Sequence, residues 1–143
     1  MLPGPGSTHL PLAGRAGEQV GVLVVDDQVV FRQVAHEVID ATKDFELLGE
    51  ASSGTHALIA VAELEPDLVL LDLRMPDMDG IETAARLRAE HPAAVVVLIT
   101  LEEAPDLPAG MAACGAAELV RKQDFGPSLL RRVWQSHGPS AGS

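Results

Sequence analysis

Apolar runs that stop abruptly at polar residues restrict the fold of this chain more than any other feature. Residues 20–25 run into an acid pair, residues 68–71 end at Asp72, and residues 95–99 end at Thr100. Apolar runs without polar alternation are typical of strands buried on both faces, which occur in parallel sheets covered by helices. The pattern therefore predicts an α/β fold whose strands end in polar side chains.

Amphipathic stripes between these runs predict the helices. Apolar residues repeat with helical spacing over residues 28–42, whereas two prolines confine a fourth helix to about residues 106–114. Five β/α units result, so we expect a doubly wound five-stranded parallel sheet with right-handed crossovers. The other predicted elements are a strand at 45–51, a helix carrying Ala57, Ala60, Val61 and Leu64, a helix from near Ile81, a weak strand at 119–121, and a last helix entered at Gly126 and Pro127.

The two ends of the chain lack the apolar periodicity of its centre. The first 19 residues hold seven prolines and glycines and show no apolar periodicity. Such a segment cannot bury a face, so we expect a disordered arm at residues 1–19. One domain is predicted over residues 20–137, followed by a flexible tail at 138–143.

Charge and composition exclude several classes of protein. Ten Lys and Arg against 21 Asp and Glu give a net charge of −11, a field that repels nucleic acids and anionic lipids. We therefore expect no direct nucleic-acid binding. The longest apolar run, residues 93–99, is far shorter than the roughly 18 residues that span a bilayer, so no membrane association is expected. The single cysteine, Cys114, cannot close an internal disulfide, and a cytoplasmic location is expected.

The polar residues that end the strands suggest a specific chemistry. Asp26, Asp27, Asp72, Thr100 and Lys122 all follow or end predicted strands, and ligands of such sheets bind beyond the carboxyl ends of the strands. Three converging carboxylates repel one another unless they share a cation, and Mg²⁺ suits a few carboxylate oxygens together with phosphate oxygens. A carboxylate can also attack phosphorus, and an ammonium and a hydroxyl then stabilise the added charge.

Several segments carry a resemblance to a known family. They are the strand from Val22 into Asp26 and Asp27, the Asp-x-x-Met-Pro-x-Met-x-Gly loop from Asp72 to Gly80, Thr100, Gly115 with Ala116, and Lys122. In this order they resemble the receiver domain of two-component response regulators, over about residues 20–137. The chain is similar to the receivers of LuxR-type regulators in particular. The resemblance implies a flavodoxin-like (βα)5 fold with strand order 2-1-3-4-5.

The resemblance also implies a function for individual residues. Asp72 is the expected phosphoacceptor, and its phosphate comes from a histidine kinase or a phosphotransfer protein. Mg²⁺ is expected at Asp26, Asp27, Asp72 and the backbone carbonyl of Arg74, with Thr100 and Lys122 binding the phosphoryl group. A homodimer or an output partner is expected on the face formed by the fourth helix, the fifth strand and the last helix.

The sequence departs from the family pattern at two positions of the expected switch. Leu101 follows Thr100 where a small residue is usual, and Leu119 replaces an aromatic residue of the fifth strand. Together with Arg74 and Glu102, Leu101 is expected to form a gate over the site. These departures leave open the alternative of a pseudo-receiver, an interaction module that works without phosphorylation.

Enzymatic alternatives fit less well. A flavin carrier would need a glycine- and hydroxyl-rich phosphate loop after the first strand, and residues 27–30 do not form one. An aspartate-based phosphatase would need a second acid two residues after the nucleophile, where this chain has Arg74. We therefore expect a signalling protein that is not an enzyme.

Overall fold

The strands form one parallel sheet. The computed structural model describes residues 19–75, 77–101 and 113–139, and within them the sheet has the order β2-β1-β3-β4-β5. This order and the flanking helices confirm the predicted doubly wound α/β fold. The strands are β1 (Val20–Val25), β2 (Phe45–Ala51), β3 (Leu68–Asp72), β4 (Val95–Thr100) and β5 (Glu118–Arg121).

Four helices connect and cover these strands in the described part of the chain. They are α1 (Val29–Ala41), α2 (Gly54–Leu64), α3 (Gly80–Glu90) and the C-terminal α4 (Pro127–His137), and a short 3-10 turn spans Lys122–Asp124. Among the described residues, no helix has the length and apolar character to cross a membrane. Residues 1–18 of the predicted arm, residues 140–143 of the tail, and most of the helix predicted at 106–114 lie outside the described residues.

The core consists of two apolar layers, one on each face of the sheet. Alternate residues of β1 show the division, since Leu23 packs toward α2 and α3 whereas Val22 packs toward α1 and α4. Both side chains are fully buried, and burial of a side chain of this size stabilises the fold by about 1.5–3 kcal/mol. Burial on both faces explains why the central strands β1, β3 and β4 read as apolar runs, whereas the edge strands β2 and β5 contain charged residues. Parallel pairing holds the carboxyl ends of the central strands at one edge.

The loop after β3 is held tightly against the sheet and against α2. A Cβ atom at Gly80 would lie 2.5 Å from the backbone oxygen of Asp72, so only glycine lets α3 begin this close to the strand end. Asp79 caps α3 by accepting a hydrogen bond from the backbone N–H of Glu82 at 2.9 Å.

Asp77 ties the same loop to the start of α2. Its carboxylate accepts hydrogen bonds from the backbone N–H groups of Gly54 and Thr55, both at 3.1 Å, and from the Thr55 hydroxyl at 2.7 Å. These hydrogen bonds, those from Thr55 above all, lower the pKa of Asp77 to about 2. A helix N-terminus and the phosphoacceptor loop are therefore joined by one side chain.

Candidate functional site

The strand register brings the predicted site residues to one edge of the sheet. Val25 pairs with Leu71, and Asp72 pairs with Ile99, so β1, β3 and β4 end at the same level. Thr100 pairs with Arg121, which places Lys122 beside the end of β4. A cleft of about 370 Å³ opens at this edge, lined by Asp27, Gln28, Asp72, Arg74, Thr100, Leu101 and Lys122.

Three carboxylates converge in this cleft. Asp26, Asp27 and Asp72 each offer one oxygen, and these oxygens lie within 4.8 Å of one another. Asp26 is fully buried and Asp72 is nearly so, whereas Asp27 is exposed. The donor set is hard oxygen from few carboxylates with an open side, which is the arrangement that Mg²⁺ accepts while it keeps part of its hydration shell. The residues present therefore fit a Mg²⁺ ion.

Lys122 enters the same cluster from the end of β5. Its Nζ atom lies 2.6 Å from Oδ2 of Asp26 and 3.9 Å from Oδ1 of Asp72. The ammonium also lies 4.8 Å from the centroid of the Phe31 ring, and that ring packs against Phe125 with a centroid separation of 5.7 Å. The lysine is thus held by a buried carboxylate and an aromatic face, and it is closer to Asp26 than to the expected phosphoacceptor.

Asp72 has the most strongly raised pKa that the structure resolves. Burial is the main cause and the Asp26 carboxylate the second, and together they raise the pKa of Asp72 to about 7. The Lys122 ammonium and the backbone N–H of Arg74, at 3.4 Å from Oδ1, lower it in part. Because burial and like charge both disfavour the ionised form, a cation bound beside Asp72 would favour the carboxylate.

The remaining predicted residues of the switch and the gate differ in how far they are buried. Thr100 is buried at the end of β4, and the next residue, Leu101, is 64% exposed at the cleft. Leu119 is half-buried in β5 and packs against the core on the α2 and α3 side of the sheet. Arg74 is exposed and lines the cleft, whereas Glu102, the other charged member of the predicted gate, lies outside the described residues.

One group of contacts was missed from sequence. Arg32 of α1 donates from Nη1 to the backbone oxygen of Asp26 at 2.7 Å, and its Nε donates to Oε1 of Glu50 at 3.0 Å. Arg32 lies three residues before Ala35, a fully buried residue of α1, and this position beside the apolar stripe could have indicated an inward-reaching cation. Its partner, 18 positions further along the chain at the end of β2, left no comparable signal.

Comparison with known proteins places this site in a family. The response regulator receiver domain family matches residues 22–133. A protein-glutamate methylesterase/protein-glutamine glutaminase of Nocardioides is 44% identical over 85 residues, which cover 59% of this chain and 23% of that protein. The chain thus spans about a quarter of that relative's length.

Solved structures agree with this assignment. The signal receiver domain of NarL from Mycobacterium tuberculosis is 31% identical with a TM-score of 0.76, over 83% of this chain and 96% of that chain. A DNA-binding response regulator of the LuxR family from Staphylococcus aureus is 26% identical with a TM-score of 0.72, over 80% of this chain and 98% of that chain. The similarity to LuxR-type receivers that was noted in the sequence is confirmed.

The relatives also correct one expectation. The prediction of a chain that is not an enzyme is wrong, because the Nocardioides relative is named as an enzyme and receivers of this kind therefore occur within enzymes. The prediction failed because it tested only chemistry inside the receiver sequence. The family match extends over residues 22–133, which is most of the chain, and this protein belongs to the family of receiver domains of two-component response regulators.

Proposed function

We propose that this receiver is phosphorylated on Asp72 in a Mg²⁺-dependent reaction, by a histidine kinase or a phosphotransfer protein, and acts as a signalling switch. The observation that carries the proposal is the convergence of Asp26, Asp27 and Asp72 within 4.8 Å, with the Lys122 ammonium 3.9 Å from Asp72. A cytoplasmic location, expected from the single cysteine, is part of the same proposal.

The proposed reaction transfers one phosphoryl group. A carboxylate oxygen of Asp72 attacks the phosphorus of a phosphohistidine, the P–N bond breaks, and its electron pair leaves with the imidazole nitrogen. The product is an acyl phosphate on Asp72. Mg²⁺ held by Asp26, Asp27, Asp72 and the backbone carbonyl of Arg74 would supply positive charge to the phosphoryl oxygens.

The chain's own side chains account for the other requirements of this transfer. Burial keeps bulk water away from Asp72, so charge developing on the phosphoryl oxygens is stabilised by fixed groups. Lys122 lies between Asp26 and Asp72 and can turn its ammonium from the first carboxylate to a phosphoryl oxygen. The Thr100 hydroxyl, at the end of the neighbouring strand, would donate a hydrogen bond to the same group.

The switch requires that the added charge change a surface. The phosphoryl group carries about −1.5 to −2 charges and replaces the charge of the Asp72 carboxylate, so it concentrates negative charge beside Lys122 and Thr100. Lys122 is the first residue of the 3-10 turn that follows β5, and Thr100 is the last residue of β4. The added charge would therefore act where the chain enters the predicted output face. We propose that a homodimer or an output partner binds the face that includes β5 and α4. The fourth helix predicted for this face lies mostly outside the described residues.

Intact mass tests the proposal directly. The parent chain and Asp72→Asn are incubated with a small-molecule phosphodonor and Mg²⁺, and Asp40→Asn, an exposed acid of α1, serves as the matched control. We expect one added phosphoryl group on the parent and on Asp40→Asn and none on Asp72→Asn. Equal labelling of Asp72→Asn would show that the acceptor is another residue.

The second candidate function is the pseudo-receiver. The exposed Leu101 at the cleft favours it, because a bulky residue there hinders a phosphodonor, and the closeness of Lys122 to Asp26 partly neutralises the acid cluster. A folded parent chain that never gains a phosphoryl group from a small donor or a phosphorylated histidine kinase would support this candidate over the first.

A further inference from the structure

Arg32 connects the carboxyl ends of β1 and β2 next to Asp26 of the acid cluster. Its guanidinium donates to the backbone oxygen of Asp26, just after β1, and to the carboxylate of Glu50, near the end of β2. The side chain is only 19% exposed, and both contacts are charge-assisted, at 2.7 Å and 3.0 Å. We propose that Arg32 is a positioning residue for the metal site, which it serves by holding Asp26 and Asp27 in their metal-binding arrangement. This inference rests on the proposed Mg²⁺ site.

The hydrogen bond from Arg32 orients the peptide plane between the two acids that follow β1, Asp26 and Asp27. The Asp26 carbonyl belongs to the peptide unit that links Asp26 to Asp27, and this unit is planar. Fixing its oxygen therefore fixes the direction in which the chain continues into Asp27, the exposed acid of the cluster. Asp27 has no burial to hold it, so its direction depends on the residue before it.

The remaining polar groups of Asp26 also have partners, two through hydrogen bonds and Oδ2 through an ion pair only, so the Arg32 contact adds to its restraint. The backbone N–H of Asp26 donates to the oxygen of Ala51 at 3.0 Å, and its Oδ1 accepts from the N–H of Gln28 at 2.8 Å. Its Oδ2 meets the Lys122 ammonium at 2.6 Å. Lys122 is expected to turn from Asp26 toward a phosphoryl group on Asp72. Arg32 is anchored by Glu50, so we expect it to keep its hydrogen bond to Asp26.

Charge and position predict opposite effects of removing Arg32. A positive charge near the cluster repels a divalent cation, so its loss alone would strengthen metal binding. Loss of the hydrogen bond to Asp26 would weaken metal binding, because groups that orient metal ligands contribute about ten-fold or more to affinity. The sign of the change therefore separates a positioning role from a simple electrostatic one.

The experiment measures binding of Mn²⁺, used as a paramagnetic probe, by electron paramagnetic resonance on the full metal-free chain. Arg32→Met keeps the apolar stem and removes charge and donors. Arg32→Lys keeps the charge but replaces the planar fork of donors with a compact ammonium, which holds the two acceptors less rigidly. Arg86→Met and Arg86→Lys are the matched controls, because Arg86 pairs with Glu82 on the exposed face of α3. Thermal unfolding without metal shows that each variant is folded.

We expect binding about ten-fold weaker in Arg32→Met, intermediate in Arg32→Lys, and unchanged in both Arg86 variants. Equal or tighter binding by Arg32→Met would overturn the inference while leaving the metal site intact. If Arg32→Met does not fold, Arg32→Lys decides, and binding equal to that of Arg86→Lys would overturn the inference. A parent chain that binds no Mn²⁺ would overturn the proposed metal site, and this inference with it.

Discussion

At the scale of single residues, Lys122 connects the resting site to its proposed function. Its ammonium contacts Asp26 at 2.6 Å and approaches Asp72 only to 3.9 Å, while the Phe31 ring supports it from α1. In this arrangement the lysine neutralises part of the charge that would otherwise attract a cation. Metal binding and the turning of Lys122 toward Asp72 are therefore expected to occur together.

We expect Leu101 to affect a different property of the site, namely the access of water. It is 64% exposed and lines the cleft beside Asp72, as Arg74 also does. Hydrolysis of an acyl phosphate needs water to approach in line with the bond that breaks, and the bulk of Leu101 would hinder that approach. We expect Leu101→Ala to lose phosphate a few-fold faster than the parent, a change on the order of 1 kcal/mol in activation free energy.

Dephosphorylation rates with Mg²⁺ present, measured by intact mass, check this prediction. Arg74→Ala is expected to have a smaller effect, since an exposed charge contributes only about 0.2–1 kcal/mol. Ile59→Ala, which removes an exposed apolar side chain of α2, is the matched control and should behave as the parent. Identical rates for the parent and Leu101→Ala would show that this side chain does not limit water.

At the scale of elements, the caps and ties between loops decide how rigid the site is. Asp79 begins α3, Asp77 joins the same loop to α2, and Glu118 joins β5 to Arg132 and His137 of α4. Each tie uses a side chain from one element to satisfy polar groups of another. The loop that carries Arg74 is therefore held by α2 as well as by its own strand.

Asp77→Asn is expected to loosen this loop. A neutral amide is a weaker acceptor for the N–H groups of Gly54 and Thr55, so their amide hydrogens should exchange faster, and thermal unfolding should occur at a lower temperature. The pKa of Asp77 is lowered to about 2, so its contribution to stability is present above its ordinary value of 3.8 and is lost as the pH falls through about 2.

Hydrogen exchange and thermal unfolding from neutral to acidic pH measure this effect. The difference between the parent and Asp77→Asn should persist from neutral pH to about pH 4 and shrink below it. Asp40→Asn, with the same chemical change on the exposed side of α1, is the control. If the parent and Asp77→Asn show the same unfolding temperature and the same amide exchange at neutral pH, the hydrogen bonds of Asp77 do not hold this loop against α2.

The elements also show what the sequence could and could not predict. The bounds of β1 agree with the predicted ones because its apolar run stops at the acid pair. Those of β2 agree although this edge strand contains two glutamates, because Ser52, Ser53 and Gly54 follow it. β5 begins at Glu118, one position earlier than predicted, because this acid is kept in the strand by Arg132 and His137, which are distant in sequence. The convergence of Asp26, Asp72 and Lys122 could be predicted from strand ends. The hydrogen bond from Arg32 to Asp26 could not be predicted from the sequence, because it depends on how α1 packs on β2.

At the scale of the whole molecule, the acid cluster is a local part of a general excess of negative charge. The net charge of −11 makes the compact state repel itself, so we expect added salt to stabilise it by screening this repulsion. Three carboxylates within 4.8 Å concentrate this repulsion at one edge of the sheet. A divalent cation bound there should stabilise the fold beyond what screening provides.

We therefore expect Mg²⁺ to raise the free energy of unfolding of the parent chain more than NaCl of equal ionic strength. The gain follows from mass action and reaches about 2.7 kcal/mol when free Mg²⁺ is 100 times the dissociation constant. Asp27→Ala should lose this specific gain, because Asp27 is the exposed acid of the cluster, while keeping the response to NaCl. Asp40→Ala makes the same change in net charge on α1 and should keep both. Denaturant unfolding in the two salts measures each response, and a specific gain that survives in Asp27→Ala would place the ion elsewhere on this acidic surface.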